Sequence, residues 1–413
     1  MTLSTAIAAI GLSLASLPGD ATPLEPLRGY NAAMLIAPFE PVFDPAAEGC
    51  AVETSIDHVT LHAELQRFVI GGHASGGEWR QCAFAGSELS LWDLTTGEPI
   101  QILLEGATAS DPPSVYTLDE DPAVEVGEWA TDVVFIPQRS VIAAAIADST
   151  VRFWDSETGA PLGQWQDHEK AVWAIAASAD GRVIATGSAD RTVQAKFLAP
   201  DSLAVWRSEQ LATLQAVRHL QLSDDGHNLV AISGSSLQDT VVQLWHVESG
   251  QWLPVDWQQR YVFHELQFSY THQDVAQVVQ LRGDRLITGH EDGVIRLWDA
   301  PTGVRVLSLQ HHREAILSLA VSPDGQWLAS SAGDGTKLWN LKTGQLIRTL
   351  DTIGRVQFSG ENTLWVSQRP ARTERWNWRL GEMLATIPFY RVVISRDGEV
   401  VAGYDGREIE LWR

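Results

Sequence analysis

The stretch ILSLAVSPDGQWLASSAGDGTKLWNLKTG, residues 316–344, decides the fold of this chain. Apolar and polar residues alternate in ILSLAVS, QWLASSA and TKLWN, and this alternation predicts three short β-strands. Asp-Gly separates the first two strands and Thr-Gly follows the third, so that a glycine is available at each hairpin corner. The stretch therefore predicts an antiparallel sheet built from tight hairpins.

The same unit recurs along the chain. Each copy has a strand ending in Trp with a polar neighbour, then a turn with Gly, and several copies carry a second corner of the form Ser-x-Asp-Gly upstream. Seven copies are marked by Trp92, Trp154, Trp245, Trp298, Trp339, Trp376 and Trp412, and Lys196 stands where the Trp of an eighth copy is expected. Each unit of about 40 residues is predicted to form four strands, and such internal repetition determines the whole architecture.

These residues resemble the WD40 family of β-propellers over roughly residues 51–413, most clearly in LITGHEDGVIRLWDAPTG (286–303) and in the stretch quoted first. The resemblance implies an all-β ring of four-stranded blades. We predict a single WD40-type β-propeller of eight blades, with seven blades as the alternative.

The resemblance also implies a buried tetrad of His, Ser, Asp and Trp in a regular blade. The sixth unit offers His312, Ser331 (or Ser330), Asp334 and Trp339. The third unit offers His168, Ser188 and Asp190 but lacks the Trp.

The last strand, in GREIELWR (406–413), is the third strand of its unit and needs a fourth. The alternating run CAVETSIDHVTLH (50–62) is predicted to supply it, so that an N-terminal strand completes the C-terminal blade. This places an N-terminal extension at residues 1–49 and the propeller at 50–413, with a Pro- and acid-rich surface loop inserted at about 106–128.

The apolar segment MTLSTAIAAIGLSLASLP (1–18) has two interpretations. It fits a secretory signal that ends near residue 21, or a short amphipathic helix. No Lys or Arg precedes Arg28, so a cytoplasmic protein is favoured, with an exported or periplasmic protein as the alternative. Whether Cys50 and Cys82 pair is left open.

Composition and motifs exclude several functions. With 52 acidic and 29 basic residues the net charge is −23, which makes nucleic acid and anionic membrane surfaces poor partners. The segment at the N-terminus is too short for a confident membrane span. The chain has no Gly-x-Ser-x-Gly, phosphate-binding or dinucleotide-binding motif and no metal-ligand spacing. We therefore predict a non-enzyme without cofactor or metal that works as a monomeric propeller within a larger complex.

A propeller offers one funnel-shaped face to partners. Aligning the units places one residue of each at the mouth of the innermost strand: Thr131, Trp173, Arg218, His264, Leu317, Gly354 and Tyr390, with Arg355 and Arg391 beside the last two. This mixture of aromatic and basic residues is typical of binding surfaces. The alternative is that Trp173 and Leu317 merely plug the central channel.

A second candidate is SQRPARTERWNWR (367–379), which carries Arg369, Arg372, Arg375 and Arg379 beside Trp378. The sequence thus predicts a scaffold that binds a protein or peptide on the funnel face. The alternative is a small-ligand receptor or an enzyme that uses the central channel.

Overall fold

The computed structural model describes residues 26–31, 52–62, 66–76, 87–105, 129–136, 138–200, 202–234, 241–252, 279–290, 292–370, 372–395, 400–404 and 408–412. Within these ranges the chain forms eight four-stranded antiparallel sheets and no helix. The eight sheets are the blades of a β-propeller, as the repeat count predicts. No helix in the described ranges is long and apolar enough to cross a membrane.

Each blade uses four strands that are hydrogen-bonded in chain order, except that the first strand of the chain joins the last blade. That strand is β1 (Pro26–Asn31). Blade 1 contains β2 (Val52–His62), β3 (Arg67–Gly76), β4 (Ser87–Asp93) and β5 (Pro99–Glu105). Blade 2 contains β6 (Ala130–Ile136), β7 (Val141–Ile146), β8 (Val151–Asp155) and β9 (Pro161–Trp165). Blade 3 contains β10 (Val172–Ala177), β11 (Val183–Ser188), β12 (Thr192–Leu198) and β13 (Val205–Ala212). Blade 4 contains β14 (Val217–Leu222), β15 (Asn228–Ser233), β16 (Val241–His246) and β17 (Gln251–Trp252).

The second half of the ring repeats the arrangement. Blade 5 contains β18 (Val279–Arg282), β19 (Arg285–Gly289), β20 (Val294–Asp299) and β21 (Val304–Gln310). Blade 6 contains β22 (Ile316–Val321), β23 (Trp327–Ala332), β24 (Gly335–Asn340) and β25 (Leu346–Leu350). Blade 7 contains β26 (Arg355–Ser359), β27 (Thr363–Gln368), β28 (Arg372–Asn377) and β29 (Glu382–Ile387). Blade 8 contains β30 (Arg391–Ile394), β31 (Val401–Tyr404) and β32 (Glu408–Trp412), and β1 is its outermost strand.

An N-terminal strand completes the C-terminal blade, as predicted, but it is not the strand that was predicted for this role. The strand β1 pairs with β32, with Gly29 opposite Glu410. Residues 52–62, which the sequence analysis assigned to the closure, are instead the innermost strand of blade 1. The ring therefore includes residues 26–31 from the segment predicted to be an extension. The N-terminal segment 1–21, the insertion at 106–128, Cys50 and Cys82 lie outside the described residues.

The repeated turn after the third strand has one chemical basis. The carbonyl oxygen of Asp93 accepts the N–H of Gly97 at 2.8 Å, and its side chain accepts the N–H groups of Thr95 and Thr96 at 2.8 Å. Gly97 has φ of 70°, which favours glycine. Asp155, Asp299, Asn340 and Asn377 hold the corresponding turns in the same way.

The core lies mainly between neighbouring blades. The second strand of a blade is covered on both faces, and every residue of β7, β11 and β15 is buried. These strands consequently have long apolar runs instead of strict alternation.

Antiparallel connection defines two ends of the ring. One end carries the connections that lead into each innermost strand and those between the second and third strands. We call this end the rim face. The opposite end, which carries the tight hairpins after the first and third strands, is the turn face.

Candidate partner-binding face

A β-bulge recurs in the innermost strands of five blades. It separates Val172 from Ala174 in β10, and the same irregularity occurs in β2, β6, β14 and β22. The residues left outside the ladder are Asp57, Thr131, Trp173, Arg218 and Leu317. Four of these five residues were also predicted by aligning the repeat units of the chain. A bulge releases one side chain from the regular pairing and redirects it.

Two of the bulge residues from neighbouring blades contact each other. The guanidinium of Arg218 lies over the ring of Trp173, 5.4 Å from the ring centroid. Its Nε–H donates to the carbonyl oxygen of Gly234. Both side chains are half-buried, so the pair joins blades 3 and 4 while part of it still faces solvent.

A second group of basic and aromatic side chains lies where blades 7 and 8 meet. The guanidinium of exposed Arg369 stacks 4.7 Å from the Tyr390 ring centroid, and that of Arg391 lies 5.7 Å from the Tyr404 centroid. Arg355, Tyr390 and Arg391 are half-buried. Stacking on an aromatic face orients a guanidinium.

The other predicted positions of the ring have structural roles or cannot be placed. Thr131 is buried, and its hydroxyl lies within hydrogen-bond distance of the carbonyl oxygens of Ala145 and Val172, at 3.1 Å and 2.5 Å. Gly354 passes so close to the backbone of blade 7 that an added Cβ would lie 2.1 Å from the Ser367 carbonyl oxygen. Leu317 is half-buried.

His264 lies outside the described residues. His264 was predicted to lie at the innermost strand of blade 5, because LQFS (266–269) matches the pattern of the innermost strand in other units. The structure takes the innermost strand of blade 5 from β18, which pairs with β19 through a tight turn at Gly283.

The arginine-rich segment 367–379 runs from the end of β27 through β28 to the turn that follows it. Arg369 precedes β28 on the rim face, and Arg379 follows β28 on the turn face. Arg372 is exposed and pairs with Glu374 at 2.7 Å, and Arg375 lies 5.8 Å from the centroid of the Trp365 ring. These arginines therefore do not form one basic surface.

Trp378 was wrongly predicted as a partner-binding residue. It is 1% exposed and packs against Trp327 and Phe358, with ring centroids 5.2 Å and 5.9 Å away. The reason is its position in the turn after β28, where the equivalent residue of blade 6, Leu341, is also buried.

Blade 6 contains a complete buried network. His312 Nδ1 is 2.5 Å from Asp334, and His312 Nε2 is 2.7 Å from the Ser330 hydroxyl. The Nε1–H of Trp339 donates to the same hydroxyl at 2.8 Å. The serine in the network is thus Ser330, not Ser331, because successive strand residues face opposite sides; the Ser331 hydroxyl accepts the N–H of Gly354 at 3.0 Å.

The contacts in this network shift the pKa values of Asp334 and His312. Burial alone would raise the pKa of Asp334, but hydrogen bonds from His312 and Lys337 outweigh burial and lower the pKa to about 2. Burial lowers the pKa of His312, which therefore favours the neutral imidazole.

Blade 3 has a modified network. His168 Nδ1 is 2.9 Å from Asp190, and its Nε2 is 2.9 Å from the Thr186 hydroxyl. Ser188, which the sequence analysis chose, instead donates to the carbonyl oxygen of Ala171 at 2.8 Å. Lys196 replaces the Trp; its ammonium pairs with Asp167 and lies 4.6 Å from the centroid of the Trp165 ring in blade 2.

Sequence reasoning missed the threonines that substitute for the serine. In blade 6 the pairing register places Ser330 opposite Lys337. The equivalent pairs are Thr186 with Gln194 in blade 3 and Thr288 with Arg296 in blade 5. Thr288 lies 2.8 Å from His290 Nε2 and accepts the Trp298 Nε1–H at 2.9 Å. Counting two residues back along the third strand from Trp298, or from Lys196 in blade 3, and then crossing to the paired residue of the second strand, finds both threonines.

The innermost strands also have an edge toward the axis, and side chains of the preceding blade satisfy some of its N–H groups. Asp132 accepts the N–H of Ile175 at 3.0 Å, and Ser318 accepts the N–H of Val356 at 3.0 Å. Burial raises the pKa of Asp132 to about 7, although backbone N–H groups of Ile175 and Val133 act in the opposite direction.

Comparison with known proteins agrees with this geometry. The family model described as "WD domain, G-beta repeat" matches residues 159–194, 265–299 and 303–340. The chain is therefore a WD40-repeat protein whose repeats close into an eight-bladed β-propeller. Proteins with such propellers are mostly non-enzymatic scaffolds for protein interactions.

Among curated relatives, rat "Apoptotic protease-activating factor 1" is 26% identical over 251 residues, 52% of this chain and 19% of that protein. "Eukaryotic translation initiation factor 3 subunit I" of Debaryomyces hansenii is 26% identical over 205 residues, 46% of this chain and 54% of the relative. The chain thus matches between about a fifth and about half of the length of these relatives.

Among solved structures, the computationally designed Ika8 protein superposes with a TM-score of 0.58 at 18% identity, covering 87% of this chain and 96% of that protein. This likeness concerns the fold alone.

Proposed function

We propose that this protein is a non-catalytic scaffold that binds a protein or peptide partner on the rim face, through the side chains around the axis. The observation that carries the proposal is the recurrent bulge. It leaves Trp173 and Arg218 of adjacent blades outside the ladder, where neither is required for strand pairing.

The chemistry of these side chains favours an acidic segment in the partner. Arg218, Arg355, Arg369 and Arg391 approach the rim face in a chain whose net charge is −23. Stacked arginines bind carboxylates with defined geometry, and aromatic neighbours add apolar contact area. Membership of a larger complex is supported by the relative whose name makes it a subunit of translation initiation factor 3.

The test is a comparison of the two faces. Partners are captured from the source cell with the wild-type protein, identified by mass spectrometry, and their affinities are then measured with the Trp173→Ala/Arg218→Ala and Arg391→Ala variants. We expect each rim variant to weaken binding at least about tenfold, since truncating a central aromatic or Arg contact costs roughly 2 kcal/mol or more.

Arg379→Ala is the matched control, because it removes an arginine from the turn face. It is expected to bind as the wild-type does. Full retention by the rim variants, or an equal loss with Arg379→Ala, would show that the rim face is not the site.

We also propose a cytoplasmic location, on the ground that no basic residue precedes Arg28. N-terminal sequencing of the natural protein tests this proposal. A mature protein that lacks residues 1–21 would indicate export instead.

A further inference from the structure

The turn face of blade 4 brings two imidazoles and a carboxylate together. His227, His246 and Glu248 each offer one donor atom, and these atoms all lie within 4.8 Å of one another. His227 Nδ1 is 3.8 Å from Glu248 Oε1, and the two imidazole rings are parallel within 3° with centroids 6.2 Å apart.

The backbone that carries these residues is firmly hydrogen-bonded. His246 ends β16 and pairs with Asn228 at the start of β15. The N–H of Val247 donates to the His227 carbonyl oxygen at 2.7 Å, and the N–H of His227 donates to Asp225 Oδ1 at 3.0 Å. The three side chains therefore project from two segments whose separation is fixed, and only their own rotamers need to adjust.

A neighbouring hydroxyl contacts one of the two ring nitrogens of His246. The Ser249 hydroxyl is 3.4 Å from the His246 carbonyl oxygen, to which it donates, and 3.1 Å from His246 Nδ1. A hydrogen bond at Nδ1 orients the ring and leaves Nε2 as the nitrogen that can bind a metal ion.

We propose that His227, His246 and Glu248 form a binding site for a divalent transition-metal ion, of which Zn²⁺ is the best match. Two imidazoles and one carboxylate are a known ligand set for Zn²⁺, whereas Ca²⁺ and Mg²⁺ require oxygen ligands. Ligand distances of about 2.0–2.2 Å in a tetrahedral site place the donor atoms about 3.3 Å apart. The side chains of His227 and Glu248 are 49% and 53% exposed, so they are free to close the remaining distance.

The surroundings favour a cation. Asp225 lies in the turn that carries His227. Arg207 donates to the Glu248 carbonyl oxygen, and its charge is paired with Glu209, which its Nε and a terminal nitrogen bind at 3.0 Å and 2.8 Å. Three protein ligands leave a fourth position, which water or a side chain of a partner can occupy.

The test measures Zn²⁺ binding to the full chain by titration calorimetry, with the d–d absorption of Co²⁺ as an independent readout of coordination. We expect one Zn²⁺ per chain for the wild-type. The variants His227→Gln, His246→Gln and Glu248→Gln should lose this site, and Ser249→Ala should weaken it about tenfold because the His246 ring loses a hydrogen-bond partner that orients it.

His311→Gln is the control, since His311 is an exposed histidine of another blade and is expected to keep full binding. Thermal unfolding of the metal-free variants checks that each is folded. The proposal is overturned if the wild-type does not bind one Zn²⁺, or if His246→Gln and His311→Gln lower binding equally, which would indicate only adventitious binding.

Discussion

The hydroxyl of Ser330 serves two partners at once in the buried network of blade 6. It lies 2.7 Å from His312 Nε2 and accepts the Nε1–H of Trp339 at 2.8 Å. In Ser330→Ala both partners remain buried and lose their hydrogen bond, which costs about 1–3 kcal/mol for each group left unpaired. We expect the free energy of unfolding from urea denaturation to fall by at least about 2 kcal/mol.

Ser330→Thr is the conservative control, because threonine already occupies the equivalent position in blades 3 and 5, as Thr186 and Thr288. It is expected to change stability by less than about 1 kcal/mol. If the Thr and Ala variants are equally unstable, the hydroxyl does not hold the network together.

Asp132 gives the protein a distinctive dependence on pH. Burial raises its pKa from 3.8 in the unfolded chain to about 7 in the folded protein. Between about pH 4 and pH 7 the folded state keeps a proton that the unfolded state releases, so this group lowers stability as pH rises and has no further effect above pH 7. At about 1.36 kcal/mol per pH unit, the difference in stability between Asp132→Asn and the wild-type should grow by up to about 4 kcal/mol over this range.

The comparison with Asp132→Asn isolates this carboxyl from other groups. Burial lowers the pKa of His290 to about 4, so His290 contributes stability that is present above 6.5 and is lost as pH falls toward 4. That opposing contribution is the same in both proteins and cancels in the difference. A difference that stays constant from pH 4 to 8 would show that Asp132 is ionised in the folded protein.

At the scale of an element, the turn after β28 owes its stability to Trp378. Trp378→Ala removes a 1%-exposed ring between blades 6 and 7 and is expected to cost about 3–5 kcal/mol. Trp206→Ala is the control: Trp206 is 67% exposed, and its loss should cost less than about 1 kcal/mol by the same denaturation measurement. Similar costs for the two variants would contradict the burial of Trp378.

The sequence predicted the elements best where a turn required particular residues. The Asp-x-x-Thr-Gly and Ser-x-Asp-Gly turns have side-chain acceptors and a positive-φ glycine, as Ser178, Asp180 and Gly181 illustrate. The hairpin between β2 and β3 lacks both signals, since its described positive-φ residue is Gln66. The first strand of blade 1 therefore could not be recognised as part of a unit, and it was assigned to the closure instead.

Side-chain roles were harder to predict than turns. Ser330 and Ser331 are adjacent and identical in type, and only the pairing register decides which of them faces His312. Trp378 and the arginines of 367–379 are close in sequence, but β28 separates them onto two faces. One sequence gives composition and spacing, whereas these contacts depend on strands from neighbouring blades.

At the scale of the whole molecule, the ring depends on one pairing between distant parts of the chain. The strand β1 covers the outer edge of β32 with residues 26–31. Removing residues 1–31 leaves the backbone groups on the outer edge of β32 unpaired, and such an edge favours self-association. We expect a lower melting temperature and oligomers in light scattering.

Removing only residues 1–25 retains β1 and is the matched control. It should melt and scatter as the full chain does. If the two truncations behave identically, β1 does not close the ring.

The bulges of the innermost strands allow side chains on the rim face to vary during evolution without changing the strand pairing. At Trp173 or Arg218 the side chain can change in size or charge without altering any ladder pair on either side. A substitution at Trp173 or Arg218 removes contacts between blades 3 and 4, but no pair of the strand ladder. New specificities can therefore arise by single substitutions at these two positions that leave the strand pairing of the ring intact.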